Sequence, residues 1–250
     1  MDYNQTKNPV KIHKSTNILY SSSLSVPNIF NRMKKYALPN IQKAVETVVL
    51  ANGNFPTHPI ALNILNNCKN LVSCDGATNK LVETGRIPNA IVGDLDSLSD
   101  ENRVRFSSLI HHVEEQETND QTKAVNYCIS QNWKDITILG ATGQREDHTI
   151  GNISLLCEYM HLANVQMITN YGIFVAIDST TTLESYKGQQ VSIFCLDKMP
   201  ISTHGLRYTI NNQIFTRWWQ ASLNEAEGDE FTIETTGAVI VYREFAGCEK

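Results

Sequence analysis

From Glu46 onward the chain repeats one pattern: a short β-branched apolar run, a polar or Gly-bearing turn, then an amphipathic stretch. Thr47 to Leu50 predicts a strand ending at Asn52-Gly53, and Thr57 is placed to cap a helix through Ile60, Leu62 and Leu65. Leu71 to Cys74 predicts a second strand, followed by Asp75-Gly76 and a short helix closed by Gly85. Ala90 to Val92 is a third strand stopped by Gly93-Asp94. Ser99 then caps a helix carrying Val104 and Phe106, and a strand is expected over Leu109 to Val113. Asn119 or Asp120 opens the next helix, with Ala124, Tyr127 and Cys128 on one side. Asp135 to Leu139 is the clearest strand, and Asp147 to His161 the clearest helix, with Ile150, Ile153, Leu156 and Met160 spaced for a buried stripe.

The rhythm changes after Val165. Met167-Ile168, Gly172 to Ile177, Gln190 to Phe194, Arg207 to Ile210, Phe231 to Glu234 and Ala238 to Tyr242 alternate or run apolar between turn residues, with no strong helix among them. Strands alternating with helices predict a Rossmann-like, mostly parallel α/β sheet over residues 41–165. An all-β sandwich is expected over 166–250, the boundary lying near residues 163–178.

Composition narrows the class. The 250 residues are 41% hydrophobic and 19% charged, with no apolar run long enough for a spanning helix or a signal-peptide core. The formal net charge of -5 argues against a broad nucleic-acid surface, but its distribution is uneven. Residues 1–45 hold seven basic side chains against Asp2 alone, which leaves 14 basic and 25 acidic residues beyond them. Residues 1–40 are therefore expected to be a basic, polar, partly disordered leader. The six cysteines show no C-x-x-C spacing, which suits scattered thiols in a reducing cytoplasm.

In an open parallel sheet, ligands bind beyond the carboxyl ends of the strands. Asp75, Asp94, Asp96, Asp120 and Asp147 all fall at such predicted ends. Carboxylates crowded on one rim repel unless a cation shares them, and oxygen ligands with few histidines favour Mg²⁺ together with substrate phosphates. In Gly93-Asp94-Leu95-Asp96-Ser97-Leu98, Gly93 permits a tight turn and an extended segment would point Asp94 and Asp96 the same way. A solvated acidic turn capped by Ser97 or Ser99 is the alternative. The loop Gly140-Ala141-Thr142-Gly143 can offer backbone N–H groups to phosphate, with Arg145 and Asp147 beside it, although it is neither a Walker A nor a dinucleotide motif. Lys123 could neutralise a polyphosphate or form a helix-surface pair with Asp120. His111-His112 lacks metal-ligand spacing.

Taken together, Cys74-Asp75-Gly76-Ala77-Thr78-Asn79, Gly93-Asp94-Leu95-Asp96-Ser97-Leu98, Asn119-Asp120-Gln121-Thr122-Lys123 and Leu139-Gly140-Ala141-Thr142-Gly143 with Arg145-Glu146-Asp147-His148 resemble the thiamine pyrophosphokinase family in order and spacing. The resemblance runs from about Thr47 to the C-terminus. It implies transfer of a pyrophosphoryl group from ATP to the hydroxyl of thiamine, giving thiamine diphosphate and AMP, with Mg²⁺ as cofactor. It implies Asp94, Asp96 and Asp120 as metal ligands or water-mediated partners and, with Asp147, as catalytic residues, Asp75 and Asp147 completing the rim. Asp75, Thr122, Lys123, Arg145, Gly140 and Gly143 would hold ATP. It further implies a cytoplasmic homodimer with a shared active site, acting on neither nucleic acid nor membrane. In that site Tyr208 stacks on thiamine while Ser222 and Asn224 sit near it; Trp218-Trp219 is expected in packing or an interface. Asn119 stands where Thr is common, and Ala221 and Leu223 where small polar residues often occur.

Two other classes share part of this residue pattern. A haloacid dehalogenase-type phosphohydrolase shares the D-x-D pattern, with Asp94 as nucleophile, but carries it after its first core strand, whereas two strand candidates precede it here. A non-enzymatic nucleotide-binding module would leave acids at five strand ends without a reason.

Overall fold

A computed structural model describes residues 34–40 and 44–247. The expected leader lies outside the described residues except for its last few. In chain order the elements are β1 (Lys34–Tyr36), β2 (Thr47–Leu50), α1 (Pro59–Asn67), β3 (Asn70–Cys74), α2 (Asp75–Glu83), β4 (Ala90–Gly93), α3 (Asp100–Arg105), β5 (Ile110–His112), α4 (Asp120–Ser130), β6 (Asp135–Leu139), α5 (Glu146–Ser154) and α6 (Leu156–Tyr159). There follow β7 (Asn164–Ile168), β8 (Gly172–Ile177), β9 (Thr181–Glu184), β10 (Gln190–Cys195), β11 (Pro200–His204), β12 (Gln213–Ile214), β13 (Ala221–Glu225), β14 (Glu230–Glu234) and β15 (Val239–Glu244).

Ten strands form one sheet in the order β13-β10-β15-β8-β7-β6-β2-β3-β4-β5, parallel from β7 to β5 and antiparallel from β7 to β13. The central parallel strands β2, β3 and β4 are buried along their whole length, as β-branched runs covered on both faces must be. β10 alternates buried and half-buried positions, as a strand with one inward face does. A second sheet, β1-β9-β14-β11-β12, shares one apolar core with it: Leu183, Ile201, Phe231 and Ile233 cluster with Val191, Ile193, Val239 and Val241. The fold is thus mixed α/β, with a large, mostly parallel sheet and a β-rich C-terminal half. The hydrogen bonding of the large sheet continues unbroken through β7 and β8, where the change of pattern lies.

Several local expectations are corrected. α1 is capped by His58, whose Nδ1 accepts from Ile60 N, rather than by Thr57; the N–H groups of Thr57 and His58 both donate to Asn170 Oδ1. The expected helix from Asp147 is interrupted at Leu155, where the Ser154 hydroxyl donates to the Gly151 carbonyl and competes with the helical ladder. Ile150 is 61% exposed rather than part of a buried stripe. Residues 207–208 bend and 209–210 are irregular instead of forming a strand.

At the end of the supposed leader, β1 pairs in parallel with β9. Arg243, fully buried, explains its attachment: its guanidinium donates to the carbonyls of Glu184 (2.6 Å), Tyr36 (3.4 Å) and Ala37 (3.4 Å).

Candidate active site

The strand order turns back at β2, with β3 on one side and β6 on the other, so the carboxyl ends of β2, β3, β4 and β6 open onto one rim. α2 begins directly after β3, and this sets Asp75 at the first helical position. Its carboxylate is buried, accepting from Gly76 N and Ser97 N. It passes over Gly93, where a Cβ would meet Asp75 Cβ and Cγ at 3.0 Å, so close approach, rather than a turn, requires glycine there.

Asp94 follows. Leu95 takes φ +72°, in the left-handed region, and Asp94 Oδ1 accepts from Asp96 N at 3.1 Å. That turn breaks the extended geometry on which pairing Asp94 with Asp96 depends. One carboxylate oxygen each from Asp75, Asp94 and Asp120 lie within 4.8 Å of one another, while Asp96 is exposed outside that group. Asp120 opens α4, whose N-cap Asn119 accepts from Thr122 N at 2.9 Å.

Lys123 completes the cluster. Its Nζ lies 3.3 Å from Asp120 Oδ1 and 4.0 Å from Asp94 Oδ2, with its side chain only 3% exposed, so it is not a helix-surface pair. The electrostatics differ between the carboxylates. The Asp96 N–H holds Asp94 below the usual carboxylate range, helped by Gln116 Nε2 and Lys123 against partial burial. Burial and then the charge of Asp75 push Asp120 up, opposed by Lys123. Three converging carboxylates against one ammonium leave excess negative charge in a partly dry place. Oxygen donors alone suit a hard divalent cation such as Mg²⁺, and the residues present fit one.

The loop after β6 is joined to the chain after β2. Ala51 N donates to Leu139 O, Gly53 N to Gly140 O and Asn54 N to Thr142 O, at 2.6–2.8 Å. Gly140 (φ +66°) and Gly143 (φ +82°) both need the left-handed region. The Gly143 N–H is already donated to Thr149 Oγ1. Arg145 and Asp147 form a bidentate pair at 3.1 and 2.6 Å on the exposed surface, and Asp147 is not one of the three converging carboxylates. The Arg145 guanidinium keeps Asp147 ionised to lower pH. The Thr122 hydroxyl turns inward to Tyr159 OH, 2.6 Å away.

On the β-rich half, Tyr208 is 62% exposed, with the Arg207 guanidinium 5.8 Å from its ring. Buried Asn224 grips its backbone from both sides: Tyr208 N donates to Asn224 Oδ1 (3.0 Å) and Asn224 Nδ2 donates to Tyr208 O (2.8 Å). Ser222 and Asn224 lie on strand β13 rather than in a loop, beside a register shift where Leu223 takes φ +61°. His111 packs on Tyr127. Gln116 and Asn152, which contact the cluster and its helix, carry no motif of their own; only their places in loop and helix mark them.

Residues 61–169 match the family model described as thiamin pyrophosphokinase, catalytic domain, and residues 172–242 the one described as thiamin pyrophosphokinase, substrate-binding domain. The chain is 29% identical over 109 residues to thiamin pyrophosphokinase 1 of Caenorhabditis elegans, covering 40% of this chain and 44% of the relative. It is 33% identical over 90 residues to thiamine pyrophosphokinase of Bacillus subtilis, covering 34% and 42%. The chain thus spans less than half the length of these two curated relatives. The solved structure of thiamin pyrophosphokinase from Candida albicans shares the fold with a TM-score of 0.72 at 21% identity, covering 90% of this chain and 96% of that one. That of yeast thiamin pyrophosphokinase does so at 0.69 and 18%, covering 88% and 94%. With both of the family's domain models matched in succession, the chain belongs to the thiamin pyrophosphokinase family.

Proposed function

We propose that the protein transfers the terminal pyrophosphoryl group of ATP to the hydroxyl of thiamine, giving thiamine diphosphate and AMP. The thiamine oxygen bonds to the β-phosphorus, the bond between that phosphorus and the α,β-bridging oxygen breaks, and AMP leaves with the electron pair while the hydroxyl proton passes to solvent. A bound Mg²⁺ would neutralise charge on the polyphosphate oxygens. Asp75, Asp94 and Asp120 would hold it, and Asp96, exposed beside them, would act through a water. Lys123 would offset the charge of Asp94 and Asp120 and hold them close. Arg145, freed from Asp147, together with the Gly140–Gly143 loop and Thr122, would hold ATP, and Asp147 would remain at the rim as the partner Arg145 exchanges for phosphate. Tyr208 would stack on thiamine, with Ser222 and Asn224 supporting it. The observation that carries this reading is the convergence of the Asp75, Asp94 and Asp120 carboxylates, with Lys123 paired to Asp120 and close to Asp94.

A homodimer sharing the active site fits exposed Leu223 on β13 and exposed Trp218 and Trp219 just before it, where β13 ends the large sheet among the described residues. A cytoplasmic location fits the free thiols of Cys68, Cys74, Cys128, Cys157 and Cys195. Incubation with ATP, Mg²⁺ and thiamine tests the reading: AMP should form only when thiamine is present. ADP as the product, or AMP released at the same rate without thiamine, would sink it.

A further inference from the structure

We infer that Asn152 is a positioning residue that ties the first turn of α4 to the loop after β6, so that the carboxylate of Asp120 and the Gly140–Gly143 backbone are held as one unit. The inference rests on the function proposed above. Three amide contacts carry it. Asn152 Nδ2 donates to the Ala141 carbonyl at 2.8 Å. Asn152 Oδ1 accepts from Asn119 Nδ2 at 2.8 Å. The Asn152 backbone carbonyl accepts from Gln121 Nε2 at 3.2 Å.

The direction of this chain is set at both ends. The Ala141 carbonyl only accepts, so Asn152 must turn its NH₂ toward it and its oxygen toward Asn119. Asn119 must then give its NH₂ to Asn152 and keep its oxygen for the Thr122 N–H, a group that only donates and which it caps at 2.9 Å. Neither amide can flip without losing two bonds. The side chain that caps α4 is thereby locked from α5, and the next residue after that cap is Asp120. Thr122, two residues further on, is fixed independently by Tyr159 of α6. A serine or threonine at position 119 would cap the helix equally well but could not reach Asn152, so an amide there does something a cap alone does not require.

The link separates from a plain stabilising role by a double-substitution cycle. Asn119→Ser keeps the cap and breaks the side-chain chain from Asn119 through Asn152 to Ala141; Asn152→Ala keeps the helix and breaks the same chain, the Gln121 bond to the Asn152 backbone carbonyl remaining in both. Each alone should lower kcat about tenfold with thiamine KM within twofold. Each should also shrink the rise in melting temperature that saturating Mg²⁺ gives to the ligand-free protein, a readout independent of turnover. The double variant should be no worse than either single, since both break one chain of bonds. Multiplicative losses in the double variant, or single variants with wild-type kcat and an unchanged Mg²⁺ shift, would overturn the inference. If the wild-type chain makes no AMP from ATP and thiamine, the proposed function fails instead, and the Mg²⁺ shifts still decide whether Asn152 positions the carboxylates.

Discussion

Lys123 Nζ sits 3.3 Å from Asp120 Oδ1 and 4.0 Å from Asp94 Oδ2, buried beside these acids rather than on the solvent face of its helix. An ammonium in that position offsets repulsion among three carboxylates before any cation arrives. Removing it leaves Asp75, Asp94 and Asp120 uncompensated. Breaking a fully buried ion pair costs ~3–5 kcal/mol, and the one-third exposure of Asp120 reduces that. Lys123→Met is therefore expected to lose about 2 kcal/mol of stability without Mg²⁺ and to recover part of it when Mg²⁺ is added. Urea unfolding at both conditions checks this. A variant as stable as wild type in the absence of metal would show that Lys123 does not hold the cluster together.

Metal removal and single neutralisations should act together. EDTA is expected to abolish turnover, and added Mg²⁺ to restore it. Asp94→Asn and Asp120→Asn should each cut kcat by roughly two or more orders of magnitude, the scale of losing one preorganised charge at a reacting phosphate. Asp96→Asn should cost less, since Asp96 lies outside the converging oxygens. The comparison is made on kcat at saturating Mg²⁺. Equal losses at all three positions would argue that Asp96 moves into the cluster on binding substrate.

Tyr208 and Asn224 make separable contributions. The ring of Tyr208 is exposed while Asn224 is buried and bonded to its backbone. Tyr208→Ala is expected to raise thiamine KM about tenfold with ATP KM nearly unchanged and the melting temperature kept. Asn224→Ala should destabilise the fold by about 1–3 kcal/mol, because it strips partners from a backbone N–H and carbonyl. Steady-state kinetics with each substrate varied, together with thermal unfolding, separate the two. A Tyr208→Ala variant that melts early with both KM values raised alike would place the ring in the fold rather than the site.

Much of this arrangement is legible in the chain. β2, β3, β4 and β6 are short, largely apolar runs because both their faces are covered, and Asp75 and Asp147 follow β3 and β6 because α2 and α5 start there. What was hidden depends on one-residue backbone choices and on contacts between distant segments. Leu95 looks apolar and ordinary, yet its left-handed φ turns Asp96 away and lets Asp75, 19 residues upstream of Asp94, share the cluster. β9 and β11 escape an apolar pattern because their inward positions include Thr181 and Thr203, which are buried although polar. β13 reads as a polar loop because Ser222 and Asn224 occupy it, and Asn224 spends its polarity on the Tyr208 backbone. β1 follows from Arg243, more than 200 residues away, which no local pattern announces.

Gly93 offers the sharpest test of how tightly the cluster is built. A methyl group there would stand 3.0 Å from both Cβ and Cγ of Asp75 and 3.3 Å from its Oδ2, a side chain that two N–H groups already hold in place. The obstacle is not a flexible tip, so Asp75 or β4 must shift by several tenths of an ångström. Overpacking of this kind costs about 1–3 kcal/mol. Gly93 has no left-handed φ, so Gly93→Ala is not penalised by backbone conformation, and its effect reports the Asp75 contact alone. The expected outcome is a stability loss in that range together with a weaker Mg²⁺-induced rise in melting temperature, because one of the three oxygens has moved. If Gly93→Ala binds Mg²⁺ as wild type does, Asp75 is not part of the metal site.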